Sequence, residues 1–142
     1  MAKKNIYWII AGIINLLTFL IHLIGGQTTL VNPLLKSKLS LQVQTEMLGV
    51  WHMATVVLLL SSIVFFKHYY SKQVNSNKEL ISFISYLYIG FSIVFIGSGF
   101  SIVFIGSSFF NEILAPQWIL LLPLGIIGIL GVNNEKKKMR LS

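Results

Sequence analysis

The side chains able to do chemistry here are few: three histidines and four carboxylates in 142 residues, with no cysteine. Thiol redox, disulfide exchange and haem attachment through Cys-x-x-Cys-His are therefore excluded. Three of these groups fall close together in the apolar pattern. His22 lies near the end of a first long apolar run, His52 lies near the start of a second, and Glu46 just precedes that second run. Ionisable groups within apolar segments are costly and tend to mark a function or a specific partner. Two imidazoles and a carboxylate suit a divalent metal ion, and two imidazoles suit the axial positions of a haem. An imidazole beside a carboxylate titrates near neutral pH and suits proton handling. The fourth use is structural, each histidine tying two helices together through a neighbouring hydroxyl or carbonyl. No spacing matches His-Glu-x-x-His, no hydroxyl, base and acid form a nucleophilic triad, and no glycine loop precedes Lys-Ser/Thr.

The elements that must position these groups are four apolar runs, predicting helices over about 6–24, 46–66, 79–110 and 113–132. Each is close to or above the roughly 18–20 residues that a helix needs to cross a bilayer. Of eleven basic residues, only Lys36 and Lys38 fall on one side of a chain that crosses four times. The other nine, Lys3, Lys4, Lys67, Lys72, Lys78, Lys136, Lys137, Lys138 and Arg140, fall on the opposite side, which the lysine/arginine bias makes cytoplasmic. The expected fold is an all-α, four-pass transmembrane bundle with both termini cytoplasmic. With 55% hydrophobic and 11% charged residues, a separate soluble domain has no room, so residues 1–142 read as one domain. The net charge of +7 hugs the ends of the apolar runs. It reads as a topology signal rather than a nucleic-acid surface, with Lys136, Lys137, Lys138 and Arg140 on anionic lipid headgroups. The first run is too long for a cleaved signal and reads as a retained anchor. Heavy use of Ile, Lys and Asn fits an AT-rich genome and a bacterial inner membrane.

That topology puts His22 about one turn, and His52 about two turns, below the outer ends of their helices, with Glu46 above His52. The three share one layer of the outer leaflet. A haem sandwich would need the two helices apart across the bundle, because packed neighbours stand only about 8–10 Å axis to axis. The long first connection, Gly26–Thr45, with a turn expected at Asn32-Pro33, leaves either arrangement open. Ala11, Asn15, Thr18, His22 and Gly25 recur at helical spacing and should face the bundle. Tyr7, Trp8 and Lys67-His68-Tyr69-Tyr70 read as inner interfacial belts and Trp118 as an outer one. Glu79 and Glu112 suit helix N-termini, and Glu135 reads as solvated among lysines.

GFSIVFIGS occurs at Gly90–Ser98 and again at Gly99–Ser107. Nine residues advance a helix by about 13.5 Å and turn it by half a revolution, so the second copy faces opposite to the first. The resulting run of about 46 Å exceeds a hydrocarbon core of roughly 30 Å, and a kink or break around Gly97–Gly99 is expected. In the fourth run, Pro116 suits the helix start. Pro123, Gly125, Gly128 and Gly131 allow bending and close approach to a neighbour.

His22-Leu23-Ile24-Gly25-Gly26, Asn32-Pro33-Leu34-Leu35 and Trp51-His52 together resemble a pattern in small uncharacterised bacterial four-helix integral membrane proteins. The resemblance covers the first two helices. It implies that the glycine pair, the proline turn and both histidines form one outer-face unit, and it brings no activity with it. The expected role is a non-enzymatic accessory or assembly subunit of a membrane complex, or a homo-oligomer, docking through the small-residue faces of the third and fourth helices. The alternatives are a haem- or metal-binding electron-transfer or sensor protein using His22 and His52, and a small oligomeric proton-coupled transporter.

Overall fold

A computed structural model of the chain describes residues 5–71, 78–105 and 117–141, with backbone alone for 99–105, 138, 139 and 141. Four helices are long and apolar enough to cross a membrane, and no strand occurs among the described residues. The first, α1, covers Ile6–Leu35; α2 is Leu41–Tyr70, α3 is Lys78–Ile105 and α4 is Trp118–Leu141. Asn5 starts α1 from an extended conformation, its side chain accepting from the Tyr7 amide. Ser40 caps α2 in the same way through the Val43 amide.

The first helix does not end where the sequence predicts. Regular α-helix over Ile6–Leu20 widens into two π-helical turns, Ile21–Gly25 and Gln27–Val31, and continues through Asn32–Leu35. Pro33 therefore makes no turn. It sits in the first turn of that last segment, where its missing N–H costs little. The hydroxyls of Thr28 and Thr29 both donate to the Gly25 carbonyl, at 2.8 and 3.0 Å, within the widened stretch. The expected long connection shrinks to residues 36–40, a tight loop held by Gln44, whose amide donates to the carbonyls of Leu39 and Ser37. α1 and α2 thus form a hairpin of two 30-residue arms, each about 45 Å long.

Around the bundle the helices run in the order α2, α1, α4, α3; α2 and α3 scarcely approach each other at the backbone. Close approach elsewhere rests on glycine. A Cβ on Gly125 would lie 2.7 Å from the Ser85 carbonyl oxygen, and one on Gly128 would strike the Ser85 hydroxyl. One on Gly131 would come within 2.5 Å of Trp8 Nε1, and one on Gly12 within 2.9 Å of the Phe66 ring. The glycine face of α4 is therefore consumed inside the chain and is not a docking face for a partner. In lipid, where burial of apolar surface gives no drive between helices, such contacts are what hold a bundle together.

The third helix also departs from expectation. It runs unbroken from Lys78 to Ile105, straight through Gly97–Gly99. A single glycine in a helix costs only about 1 kcal/mol, which the apolar stretches on either side of Gly97-Ser98-Gly99 outweigh. Residues 106–107 of the second repeat lie outside the described residues. So do Lys3, Lys4, Lys72, Asn111, Glu112, Pro116 and the expected helix start at 113–116.

Candidate functional site

The polar stripe of α1 does face inward: Ala11, Asn15 and Thr18 are buried. Asn15 is fully buried and donates from Nδ2 to the Ser61 hydroxyl of α2 at 2.8 Å, while its Oδ1 accepts from the Tyr88 hydroxyl of α3 at 2.9 Å. Ser61 and Tyr88 also share a short hydrogen bond, which closes a three-residue network. Tyr88 reaches from α3 to Ser61 of α2 where the two backbones stand apart. Sequence reading found Asn15 and missed both partners. Ser61 lies among leucines and serines, and Tyr88 is one of three aromatic residues in α3 before the first repeat, so neither carries a local signal.

Toward the hairpin end, above this network, the bundle holds an elongated cavity of about 450 Å³ lined by all four helices. From Thr18 to Thr29 on α1 it extends about 16 Å. Ile21, Leu58, Phe91 and Phe95 line its sides, and Tyr88 lies at its lower end. The widened turns of α1 fall on this wall, contributing Ile21, His22, Gly25 and Gly26. Turns of this kind recur at functional sites. Gln117, also on the wall, has its Oε1 buried without a hydrogen-bond partner.

His22 and Trp51 form the lid of this space. Their rings stack at 3.6 Å between centroids and 14° between planes, and His22 Nε2–H donates to the Trp51 carbonyl at 3.2 Å. Only glycine at 26 admits the Trp51 indole, since a Cβ there would enter the ring. No family model, curated protein or solved structure matches the chain.

The structure separates the predicted site residues. His22 and residues 51–52 are at one height, as expected, but Trp51 turns inward and His52 is exposed on the outer face of α2. Glu46 is exposed as well and accepts from Gln42 Nε2 at 3.0 Å. Among the described residues no three His, Asp or Glu side chains gather where they could hold a metal ion. α1 and α2 pack as neighbours rather than across the bundle, so the separation required of a haem sandwich on His22 and His52 is not met. The reason is angular. Successive helical residues differ by about 100°, so bringing Trp51 to the bundle carries His52 away from it.

The opposite end corrects three further expectations. His68 is not interfacial but buried, its Nδ1–H donating to the Val64 carbonyl at 2.8 Å and its ring edge-on to Trp8 at 5.6 Å. Trp8 is likewise buried rather than part of a lipid-facing belt, and Glu135 is buried at 8% exposure instead of solvated. Asn5 Nδ2 donates to the Gly131 carbonyl at 2.7 Å, pinning the start of α1 to α4. Lys136, Lys137 and Arg140 remain exposed along the last turns of α4.

Proposed function

We propose that this chain is an accessory or assembly subunit of a larger complex in a bacterial inner membrane, without catalysis of its own. Both ends would be cytoplasmic, with the lysines of the α4 terminus on anionic headgroups. The observation that carries the reading is the outer tip of the α1–α2 hairpin. Thr29 of α1 and Trp51 of α2 both line the cavity. Beyond it α1 continues six residues to Leu35 and α2 begins ten residues earlier at Leu41, a projection of about 9–15 Å. That projection exposes Leu35, Leu39, Leu41, Val43 and Met47 beside Lys36 and Lys38. Apolar side chains held up on a rigid, capped tip suit the acidic, apolar surface of a membrane-protein partner.

Two observations weigh against the other readings. The imidazoles of His22 and His52 face apart, which does not favour a haem or metal centre. Below the cavity, Phe65, Ile81, Tyr88 and Leu124 are fully buried, so an oligomeric transporter would have to place its pathway between copies of the chain.

Gentle solubilisation should co-purify a fixed partner, and Leu41→Glu with Val43→Glu should release it while the bundle stays folded. A photo-crosslinker at position 41 should give an adduct whose mass separates a second copy from a different protein. A lone monomer with an unlabelled tip overturns the reading.

A further inference from the structure

The outer-half cavity is a site in its own right, independent of what docks on the hairpin tip. At about 450 Å³ it falls within the roughly 300–1,000 Å³ range of small-molecule sites. Its chemistry is graded along its length. Toward the bundle centre the walls are Leu58, Leu121 and Phe91, and the Tyr88 hydroxyl there is already engaged by Asn15 and Ser61. Gln117 lines the cavity immediately before the start of α4, with its oxygen buried and unpartnered, and Thr29 lines it from α1. No Lys, Arg, Asp or Glu is among the described residues that line the cavity. A charged head would be left without a counter-ion in a low-dielectric space, at a cost of several kcal/mol.

We infer that this cavity binds a neutral membrane amphiphile, an apolar chain ending in a hydroxyl group, with the hydroxyl on Gln117 and the chain lying between Phe91, Phe95 and Leu58. A hydroxyl both donates and accepts, so it satisfies the Gln117 amide in either orientation of that group. Head near the membrane surface and chain toward the midplane is also the orientation such a molecule already has in lipid. Entry lies between α2 and α3, the one adjacent pair whose backbones scarcely meet. The widened turns of α1 set back the wall opposite, and the stacked His22 and Trp51 hold it there. Leaving the Gln117 oxygen buried and unpaired carries a desolvation cost that is recovered when the hydroxyl arrives.

The test uses the full chain in mild detergent and a hexadecanol analogue carrying a photoreactive diazirine on its chain. Labelling should saturate, be competed by unlabelled hexadecanol, and map to peptides containing Ala54, Phe91 and Phe95. Ala54→Trp, which fills the space, should cut labelling by at least about tenfold. Val57→Phe makes the same block one turn lower should the first variant fail to elute as the parent does. Gln117→Leu should weaken saturation by about fivefold, the value of one neutral hydrogen bond. The corresponding diazirine fatty acid, ionised at neutral pH, should label at least about tenfold less. Unsaturable labelling shared equally with the lipid-facing Ile63 and Phe83 overturns the site. Equal labelling by the carboxylate, or indifference to Gln117→Leu, overturns the neutral hydroxyl head. None of these readouts involves the hairpin tip, so failure here and failure of the docking reading are told apart.

Discussion

The two halves of this bundle are built from the same helices by opposite means. In the half that holds both termini, glycines on α4 let Ser85 and Trp8 approach to contact, and Asn5 ties α1 to the Gly131 carbonyl. Phe65, Ile81 and Leu124 are fully buried there. In the hairpin half a side chain added at Gly90 or Gly97 of α3 would find nothing within 4 Å. Instead α1 widens, Trp51 lies across Gly26, and a cavity remains. Between the two lies the Asn15–Ser61–Tyr88 network. Where helices cannot be drawn together by burial, backbone contact closes a bundle and bulky aromatic spacers hold it open.

The sharpest way to break this contrast is to put a side chain where the closed half has none. Gly125→Leu must push α3 from α4, because the obstacle is the Ser85 backbone carbonyl rather than a flexible side chain. We expect a loss of about 3 kcal/mol, at the upper end for overpacking, in reversible unfolding in mixed micelles. Gly49→Leu, whose added atoms meet open space, should stay within about 0.5 kcal/mol of the parent. Equal losses at both positions would mean that the close approach of α3 to α4 at Gly125 is not what sets the cost, since helix propensity alone favours leucine over glycine at either site.

The next effect belongs to the boundary. Asn15→Leu removes the amide that joins the Ser61 and Tyr88 hydroxyls, leaving them to each other and to the Val57 and Leu58 carbonyls, and should cost about 1–2 kcal/mol. Tyr88→Phe should cost less than Asn15→Leu, because Asn15 keeps Ser61. The reverse order would show that the Tyr88 hydroxyl, rather than the Asn15 amide, is the centre of the network.

How much of this contrast was readable in the chain follows from the range of each signal. Four apolar runs, their even number and the inward stripe through Ala11, Asn15 and Thr18 are periodic features carried by single helices, and they were legible. The partners of that stripe were not, since Ser61 and Tyr88 lie 46 and 73 residues from Asn15 and nothing local marks them. The extent of α1 was hidden for another reason. Gly25-Gly26 and Asn32-Pro33 are turn signals in water, yet a helix continues through them once its turns widen and two threonines take up the Gly25 carbonyl. The histidine layer was half legible. The heights of His22 and His52 follow from counting residues, but the direction of a ring depends on which neighbour claims the inward position, and Trp51 claims it.

That last point gives a smaller, cleaner test. His22→Ala removes a stacked ring and a hydrogen bond and should cost about 1 kcal/mol, read by unfolding and by a shift in Trp51 fluorescence. His52→Ala should leave both signals unchanged, since its ring stands outside the bundle. A Soret band or a bound metal lost equally in both variants would restore the two histidines as a pair and undo the distinction drawn here.

The smallest effect has the most informative sign. Ala54 lines the cavity, so Ala54→Leu adds apolar volume where the bundle has space. In detergent stripped of lipid, such filling should raise stability by about 0.5–1 kcal/mol. With hexadecanol present, the parent gains stability by binding it, whereas the variant, its space already taken, gains little. The advantage of the variant should therefore shrink or reverse as the alcohol is added. A gain that persists unchanged would mean that the space is merely imperfect packing. A loss in both conditions would mean that the hairpin half is as tightly closed as the other, and the contrast between the halves would fail.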